Sequence, residues 1–382
     1  MGWPQHLRER APADVPESIL RNAIAVAKQI NNDDGSSTPI LTLGHLAAST
    51  GSEVKVLRRL VGRKDGSAYK TFLLAKATRD PIQSRGYRTI SAPRSDLKAV
   101  QRWISDNILA RQYPNPASKA YSPESTLVDA VKNHLRCRWL IKLDLYAFFD
   151  SISEIPVYRV FRKIGYQPLT AFELARLCTR LGKPSHWRNH AKWLRKTSRL
   201  YSIGAYGSPR IGHLPQGAPT SPMLSNLVMR EFDERMSVLA AVHGFRYSRY
   251  ADDLALSTSD KKVTRATCQE LIKSTYRLIG EFGLAPNLSK TKISPPGCRK
   301  LLLGLLVDGP RPHLTKEFRK NLSQHVYYLK KFGPAEHANR RKFDSVVGLR
   351  NHVYGLAYYA KQIDEIFGKS VLFDLNTVNW PL

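Results

Sequence analysis

The chain has 382 residues, of which 42% are hydrophobic and 9% aromatic, so we expect two or three folded subdomains and exclude a disordered protein. It carries 60 Lys and Arg against 31 Asp and Glu, a formal charge of +29, which favours nucleic acid as the partner. The longest apolar stretch, LLLGLLV at 301–307, is far too short to span a bilayer, and no lipidation motif or basic amphipathic anchor supports an anionic membrane surface as the alternative.

The N-terminus and the cysteines indicate the compartment. MGWPQHLRERAPADV mixes charges of both signs and lacks an apolar signal core, so we expect a cytoplasmic protein. His186 and His190 lie four residues apart, but no third ligand is near, and we interpret them as surface or nucleic-acid-facing side chains. Four scattered cysteines fit a reducing compartment better than a zinc site or a disulfide framework: Cys137, Cys178, Cys268 and Cys298.

Residues 1–80 are predicted to be mostly helical, and two strands are predicted between there and residue 149. PESILRNAIAVAKQI has apolar residues at helical spacing, and LTLGHLAASTGSEVKVLRRLV predicts two short helices joined by a turn, either a packing pair or a helix-turn-helix DNA reader. GYRTISAPRSDLKAVQRWISDNIL predicts a short strand, a turn and an amphipathic helix. RWLIKLDLYAFF, at 138–149, is predicted to form the second strand.

A stretch of one charge sign follows in the middle of the chain. Residues 174–230 contain ten Lys or Arg and no Asp or Glu, whereas a solvated surface normally mixes both signs. Interleaved Trp and Tyr residues could stack on bases or sugars, so we interpret this stretch as facing phosphates; a basic helix facing solvent is the alternative. The nucleic-acid-binding candidates here are Arg188, Lys192 and Arg195.

The second half of the chain alternates helices and short strands. GHLPQGAPTSPMLSNLVMREFDERM predicts a turn that opens a helix, FRYSRYADDLALST a hairpin, and VTRATCQELIKSTYRLIGEFG a helix. RKLLLGLLVDG predicts another strand. From Leu314 onward the pattern indicates helices rich in Tyr, Lys and Arg.

Three aspartates lie in apolar strand contexts, where a structural role is hard to assign. Asp144 belongs to LIKLDLYAFF, and Asp252 and Asp253 follow Tyr250 at a predicted hairpin. Ionised carboxylates are rarely buried unless a cation compensates them. If the three meet, they would bind two Mg²⁺ ions, about 4 Å apart, which suits an in-line phosphoryl displacement.

The order of these motifs resembles the reverse transcriptase family, and within it the retron type of bacteria. The resemblance covers about residues 70–310. RTISAP with LKAVQRWISDNIL is similar to the first fingers block, and IKLDLYAFFDSI to the palm strand with the first catalytic Asp. LPQGAPTSPMLSNLV matches QGxxxSP, YADD matches YxDD, PNLSKTKI matches NxxKT, and RKLLLGLLVDG resembles the primer-grip strand.

The resemblance implies a role for individual residues. Asp144, Asp252 and Asp253 would be the catalytic metal ligands, Asp144 and Asp252 would bridge both ions, and the Leu145 carbonyl would be an extra ligand. The nucleotide-binding residues would be Arg88 at the triphosphate, Phe149 (or Phe148) beneath the sugar, Gln216 and Gly217 in the pocket, and Lys290 near the departing pyrophosphate. The nucleic-acid-binding candidates are Tyr250 and, in the C-terminal helices, Tyr327, Tyr328, Lys330, Lys331, Arg340 and Arg341.

Two blocks depart from the retron pattern. Ala130-Val131 stand where Asn-Ala would precede His134, and Leu302-Leu303-Gly304 stand where Val-Thr-Gly is typical. The polymerase motifs are intact. The departures concern blocks that the family associates with recognition of its cognate RNA.

These patterns together predict an α+β right-hand polymerase. An N-terminal helical extension (1–80) would precede fingers and palm (81–313), with fingers segments from 81–137 and 157–213, a palm built on an antiparallel sheet flanked by helices, and a helical RNA-binding thumb (314–382). The resemblance implies an RNA-directed DNA polymerase that uses Mg²⁺ and dNTPs to copy a structured non-coding RNA. It further implies priming from an RNA 2′-hydroxyl to give branched RNA–DNA (msDNA), an effector protein encoded nearby, and a role in defence against phage.

Two alternatives stay open at this point. One is an abortive-infection-type or other stand-alone bacterial polymerase, such as one that makes DNA without a template. The other is a non-catalytic scaffold that binds RNA and holds an effector inactive.

Overall fold

The computed structural model divides the chain into two compact units. The first comprises Met1–Pro123, Leu145–Arg235 and Tyr276–Pro286, and the second comprises Glu124–Asp144, Met236–Thr275 and Asn287–Leu382. The predicted boundaries at residues 80 and 313 stay a prediction. No helix among the described residues is long and apolar enough to cross a membrane. The structure describes residues 15–31, 37–64, 66, 68–75, 87–122, 125–182, 191–194 and 203–381.

The first unit is mainly helical and carries one β-ribbon. Its strands β1 (Tyr69–Ala75) and β2 (Tyr87–Pro93) pair antiparallel. Its helices are α1 (Glu17–Asn31), α2 (Leu43–Thr50), α3 (Val54–Val61), α4 (Ser95–Asn107), α6 (Phe148–Ser151), α7 (Glu154–Ile164), α8 (Pro168–Cys178) and α9 (Ser221–Val228). Helices α10 (Arg230–Val242) and α11 (Arg265–Glu281) contribute residues to both units.

Capping and apolar spacing explain the predicted helix pair α2 and α3. The Thr42 side chain accepts a hydrogen bond from the His45 amide and so caps α2, which ends at Gly51 in the left-handed region. Leu57 and Val61 of α3 are fully buried, and α8 packs against α3, α4 and α7. The pair therefore packs within the unit, as the first of the two interpretations predicts.

The second unit contains a four-stranded antiparallel sheet, and an antiparallel sheet is what the sequence predicted for the palm. Its strand order is β4-β5-β3-β6 and every pair is antiparallel. The unit comprises α5 (Leu127–Lys132), β3 (Trp139–Asp144), β4 (Arg246–Tyr250), β5 (Asp253–Thr258), β6 (Lys292–Ser294), β7 (Leu301–Leu302), β8 (Leu305–Leu306), β9 (His313–Leu314), α12 (Lys316–Arg340), α13 (Val346–Ile363) and α14 (Glu365–Asn376).

One face of this sheet is apolar at one end and charged at the other. Alternation places Leu140, Lys142 and Asp144 of β3 on a single face, with Ala255 and Asp253 of β5 opposite the last two. Leu140 and Ala255 belong to a buried cluster shared with β7–β9 and with helices α12–α14. The C-terminal helices therefore anchor one end of the face and leave its Asp144 end for polar side chains.

Two predicted strands are shorter than the sequence pattern indicated. The strand predicted over 138–149 ends at Asp144, because Ala147 is left-handed (φ 45°) and Phe148 begins helix α6. The single strand predicted in RKLLLGLLVDG is a hairpin, β7–β8. Leu303 and Gly304 reverse the chain there with φ of 49° and 85°, the paired positive values of a two-residue hairpin turn, which glycine tolerates at no steric cost.

The predicted helices after Leu314 are confirmed. Helix α12 is broken at Gly333, whose backbone is non-helical, next to Pro334, which cannot continue a helical hydrogen-bond ladder. With helices and antiparallel sheets in one chain, the predicted α+β class is also confirmed.

Candidate active site

The three predicted aspartates lie at one end of the sheet in the second unit. Asp144 is the last residue of β3 and is directly opposite Asp253, the first residue of β5. Asp252 belongs to the two-residue turn that joins β4 to β5, in which Tyr250 pairs with Asp253. The predicted hairpin is therefore confirmed, and the register places Asp144 and Asp253 on the same face of neighbouring strands.

The turn that carries Asp252 is held from within the protein. Ala251 adopts a left-handed backbone (φ 56°), an uncommon conformation for a residue with a Cβ. A guanidinium nitrogen of Arg249, whose side chain is fully buried, donates a hydrogen bond of 3.0 Å to the Ala251 carbonyl. Such a bond to a fixed carbonyl stabilises the turn conformation that presents the two aspartates.

A buried histidine joins the two strands of the hairpin. His134 is fully buried, and its two ring nitrogens lie 2.7 Å from the Ser257 hydroxyl of β5 and 2.7 Å from the Ser248 hydroxyl of β4. Burial, with a smaller effect of the charge of Arg246, lowers the pKa of His134 to about 4. The ring is therefore neutral near pH 7 and acts as an internal cross-link beneath the hairpin.

Asp144 is buried and is compensated by two neighbours from the NxxKT segment. The Lys290 ammonium lies 2.7 Å from one carboxylate oxygen, and the Asn287 side-chain amide donates to the other at 3.0 Å. The Asn287 main-chain amide also donates to the Asp144 carbonyl at 2.7 Å. A carboxylate that is buried needs such compensation, so the segment Asn287–Lys290 fixes Asp144 in place.

The charge on the second aspartate is less well compensated. Removal of solvent around the carboxyl, together with the negative charges of Asp252 and Asp144, raises the pKa of Asp253 to about 6 despite the opposing effect of Lys290 and Lys142. A carboxylate with a raised pKa gains from a nearby cation. The protein provides oxygen ligands and excess negative charge here, which suit a hard divalent cation such as Mg²⁺.

The carboxylates described above do not form a complete set of metal ligands. Among the described residues, no group of three or more His, Cys, Asp or Glu side chains is gathered tightly enough to hold a metal ion by itself. The cation that contacts Asp144 in this structure is the Lys290 ammonium. The residues fit the implied metal in their chemistry, and coordination would need the substrate oxygens as further ligands.

A pocket of about 540 Å³ opens beside the aspartates. Asp144 and Asp253 line it together with three lysines, Lys142, Lys290 and Lys292, and the turn Leu302–Gly304 forms another part of its wall. Burial and the charge of Lys292 lower the pKa of Lys142. The pocket thus places carboxylates and ammonium groups side by side, so it contains groups that attract a cation and groups that attract a phosphate.

The predicted nucleotide-binding residues other than Lys290 belong to the first unit. Arg88 lies on strand β2 opposite Leu74. Leu145, whose carbonyl is predicted as a metal ligand, also belongs to the first unit and forms an isolated bridge with Pro286. Phe149 is half-buried, with its ring 5.4 Å from that of Phe148, which is buried. Of the two candidates, Phe149 has the more accessible ring.

Gly217 is tightly packed against the β-ribbon. Its φ is 111°, and a Cβ at this position would lie 2.8 Å from Ile90 Cγ2. The Gln216 carbonyl accepts a hydrogen bond of 2.7 Å from the Ser91 amide. The QGxxxSP segment therefore joins strand β2 through its backbone, and glycine is the residue that this approach permits.

The predicted nucleic-acid contacts vary in accessibility. Tyr250 is half-buried, and Lys192 donates to the Gly283 carbonyl and lies over the Trp193 ring. Arg188 and Arg195 lie outside the described residues. In the C-terminal helices Tyr327 is exposed, whereas Lys330 and Arg340 form ion pairs of 2.6 Å with Asp374 and Glu336.

Sequence reasoning missed several residues of this site. Asn287 was available as the first residue of the NxxKT block, and Lys142 and Lys292 could be found by stepping two residues along a strand from Asp144 and Lys290. The cross-link made by His134 had no such signal, because no periodicity indicates which hydroxyls a histidine will meet.

Comparison with known proteins gives one family and several relatives. The family model "Reverse transcriptase (RNA-dependent DNA polymerase)" matches residues 75–306. The chain is 27% identical to the retron Ec86 reverse transcriptase of Escherichia coli, over 87% of this chain and 93% of that protein. It is 29% identical to the retron Mx65 enzyme of Myxococcus xanthus (84% and 67% covered) and 28% identical to the retron Ec83 enzyme of Escherichia coli (81% and 87%).

Proposed function

The chain belongs to the reverse transcriptase family, and from that premise we propose that it copies one structured non-coding RNA into DNA. Its activity is that of an RNA-directed DNA polymerase of the retron type. The proposal adds a discrete template, a primer that is an internal 2′-hydroxyl of the same RNA, and a branched RNA–DNA product (msDNA). The similarity to retron enzymes over most of their length supports these additions.

One observation carries the catalytic part of the proposal. Asp144 and Asp253 face each other across β3 and β5, Asp252 adjoins them in the turn, and Lys290 contacts Asp144 at the rim of an open pocket. This arrangement supports phosphoryl transfer more than passive RNA binding. A scaffold would have no use for adjacent carboxylates that repel a phosphate backbone.

The three aspartates would hold divalent cations, for which we propose two Mg²⁺. When bound, such ions activate an attacking hydroxyl and stabilise the leaving oxygen. Asn287 keeps Asp144 oriented, and the Lys290 ammonium, which pairs with Asp144, would donate a proton to the departing pyrophosphate. Most of the catalysis would therefore come from positioning and electrostatic stabilisation.

The remaining roles follow the resemblance. Phe149 would exclude a 2′-hydroxyl beneath the incoming sugar, Gln216 and Gly217 would line the dNTP pocket, and Arg88 would bind the triphosphate as a fork-shaped donor. The Leu145 carbonyl would complete the metal site. An effector protein encoded nearby and a role in defence against phage belong to the same proposal and are supported by the similarity to retron enzymes alone.

Primer extension on a defined RNA tests the proposal. The full-length protein, a labelled DNA primer, an RNA template, dNTPs and Mg²⁺ should yield DNA whose sequence follows the template. The double variant Asp252→Asn, Asp253→Asn should yield none, and the matched control Asp260→Asn, at an exposed position after β5, should extend normally. Product that ignores the template would favour the abortive-infection-type alternative, and RNA binding with no synthesis by the wild type would favour the scaffold.

A further inference from the structure

Two lysines face each other across the sheet beside the catalytic carboxylates. Lys142 of β3 is directly opposite Lys292 of β6 in the antiparallel register, and both line the pocket that contains Asp144 and Asp253. Directly opposed side chains of neighbouring strands have Cβ atoms only about 5 Å apart, and a like-charge pair at that position is unfavourable by itself. Lys292 is exposed to water and Lys142 is half-buried, so an anion that contacts both ammonium groups would relieve this repulsion.

Asp253 acts on Lys142 only at a distance, without an ion-pair contact. Within the described part of the chain, neither lysine has a carboxylate within the 4.0 Å of an ion pair, although other lysines of the second unit do: Lys132 pairs with Asp129, and Lys290 with Asp144. Lys142 is half-buried, so water compensates it only in part. A bound phosphate would satisfy both ammonium groups at once.

The position of the two lysines relative to the aspartates indicates which phosphate they would bind. Lys142 and Asp144 are two residues apart on one face of β3, roughly 7 Å along the strand. Beyond the lysines the pocket is bounded by the turn Leu302–Gly304, whose neighbours β7–β9 continue into the C-terminal helices. A strand that presents its terminal hydroxyl to the aspartates would thus extend past the lysines along this wall.

We propose that Lys142 and Lys292 form a clamp for one backbone phosphate of the primer strand, within two linkages of its 3′ end. The inference rests on the proposed function and adds a binding subsite to it. The clamp holds the primer terminus near Asp144 and Asp253, while Leu303 and Gly304 give the sugar edge an apolar surface. The clamp binds the phosphate by charge, so its contribution to primer affinity does not depend on the identity of the base.

The clamp can be tested by combining lysine variants with primers in which one phosphate is replaced by an uncharged methylphosphonate. The full-length protein binds a primer on an RNA template, and the dissociation constant (Kd) is measured by fluorescence anisotropy with one methylphosphonate at each of the four linkages nearest the 3′ end. We expect one linkage at which wild-type binding weakens about tenfold. The double variant Lys142→Gln, Lys292→Gln should bind the unmodified primer at least tenfold more weakly and lose less than twofold further at that linkage.

Salt dependence and a matched control give a second readout. The clamp neutralises one phosphate, which contributes about 0.7 to 0.9 to the slope of log Kd against log salt, so the double variant should lower that slope by that amount. Lys273→Gln, at an exposed position of helix α11 outside the pocket wall, should bind every modified primer as the wild type does.

Three outcomes would overturn the clamp. First, the double variant could lose as much affinity as the wild type at every methylphosphonate linkage. Second, Lys273→Gln could weaken primer binding as much as the double variant does. Third, the double variant could raise the KM for dNTP tenfold with the primer Kd unchanged, which would assign the lysines to the nucleotide. Failure of the proposed function would look different. In that case the wild type would extend no primer on any RNA, whereas the binding cycle does not depend on turnover.

Discussion

Replacing His134 with phenylalanine should loosen the hairpin that carries Asp252 and Asp253. Phenylalanine fills a similar volume but removes both hydrogen bonds of 2.7 Å and leaves the hydroxyls of Ser248 and Ser257 buried and unpaired. We take about 1–2 kcal/mol for each unpaired buried hydroxyl, the lower part of the range for a buried polar group that loses its partner. We expect the free energy of opening of β4 and β5 to fall by about 2–4 kcal/mol.

Native-state hydrogen exchange followed by mass spectrometry measures this change at the hairpin itself. For peptides that cover 246–258, a loss of 2–4 kcal/mol corresponds to exchange roughly 30 to 1,000 times faster, since each 1.4 kcal/mol is a factor of ten. His243→Phe, at a half-buried position directly after helix α10, is the matched control and should change exchange of these peptides less than threefold. Equal exchange in His134→Phe and wild type would refute the cross-link.

A triple variant separates the loss of the hydrogen bonds from the change in packing. Removing both hydroxyls together with the ring, in the triple variant His134→Phe, Ser248→Ala, Ser257→Ala, leaves no buried donor unpaired, and such matched replacement is close to neutral. The triple variant should therefore exchange more slowly than His134→Phe alone. If it exchanges as fast or faster, the effect of His134→Phe comes from packing rather than from hydrogen bonds.

The pH dependence follows from the pKa of His134, about 4 in the folded protein against 6.5 for a free histidine. Between these values the unfolded chain binds a proton that the native ring does not, so the stability due to the neutral ring is complete above about pH 6.5 and is lost as the pH falls toward 4. At pH 5 the wild type should have lost about 2 kcal/mol through this linkage. The difference between wild type and His134→Phe should shrink accordingly, and a difference that grows at pH 5 would contradict the assignment.

Three further variants test other parts of the account. Lys290→Met removes the ammonium 2.7 Å from Asp144 and should lower kcat about 100-fold in steady-state extension; an unchanged kcat would exclude Lys290 from the chemistry. Gly217→Ala places a Cβ 2.8 Å from Ile90 at a φ of 111° and should lower kcat/KM for dNTP about tenfold, whereas Gly204→Ala, with open space around it, should stay within twofold. Burial and the nearby Arg341 lower the pKa of His325 to about 4, so thermal stability should fall between pH 7.5 and pH 5, and His325→Phe should flatten that dependence; an unaltered pH dependence would contradict it.

Much of the catalytic end of the sheet was predictable from short patterns. A hairpin around YADD follows from alternating apolar residues, and Asp144 follows from one strand of the same type. The sequence could not give the pairing of β3 with β5 that makes Asp144 and Asp253 opposite residues. Register depends on contacts between segments more than 100 residues apart.

The errors share one cause. The strand predicted through 149 ends at Asp144, and the strand predicted in RKLLLGLLVDG turns at Leu303-Gly304, because single residues with positive φ interrupt apolar runs. Ala147 and Leu303 are poor candidates for that conformation by composition. Hydrophobic periodicity therefore predicted that each segment forms a strand but did not predict the residue at which that strand ends.

The proposed copying of one RNA from its own 2′-hydroxyl can be tested on the nucleic acid that the protein holds. The protein would be purified from its native host, and the bound nucleic acid sequenced before and after RNase and debranching treatment. We expect a short DNA joined 2′–5′ to one discrete RNA, absent from the Asp252→Asn, Asp253→Asn variant. Heterogeneous, unbranched DNA would contradict self-priming on a cognate RNA, and RNA without any DNA would contradict the polymerase itself.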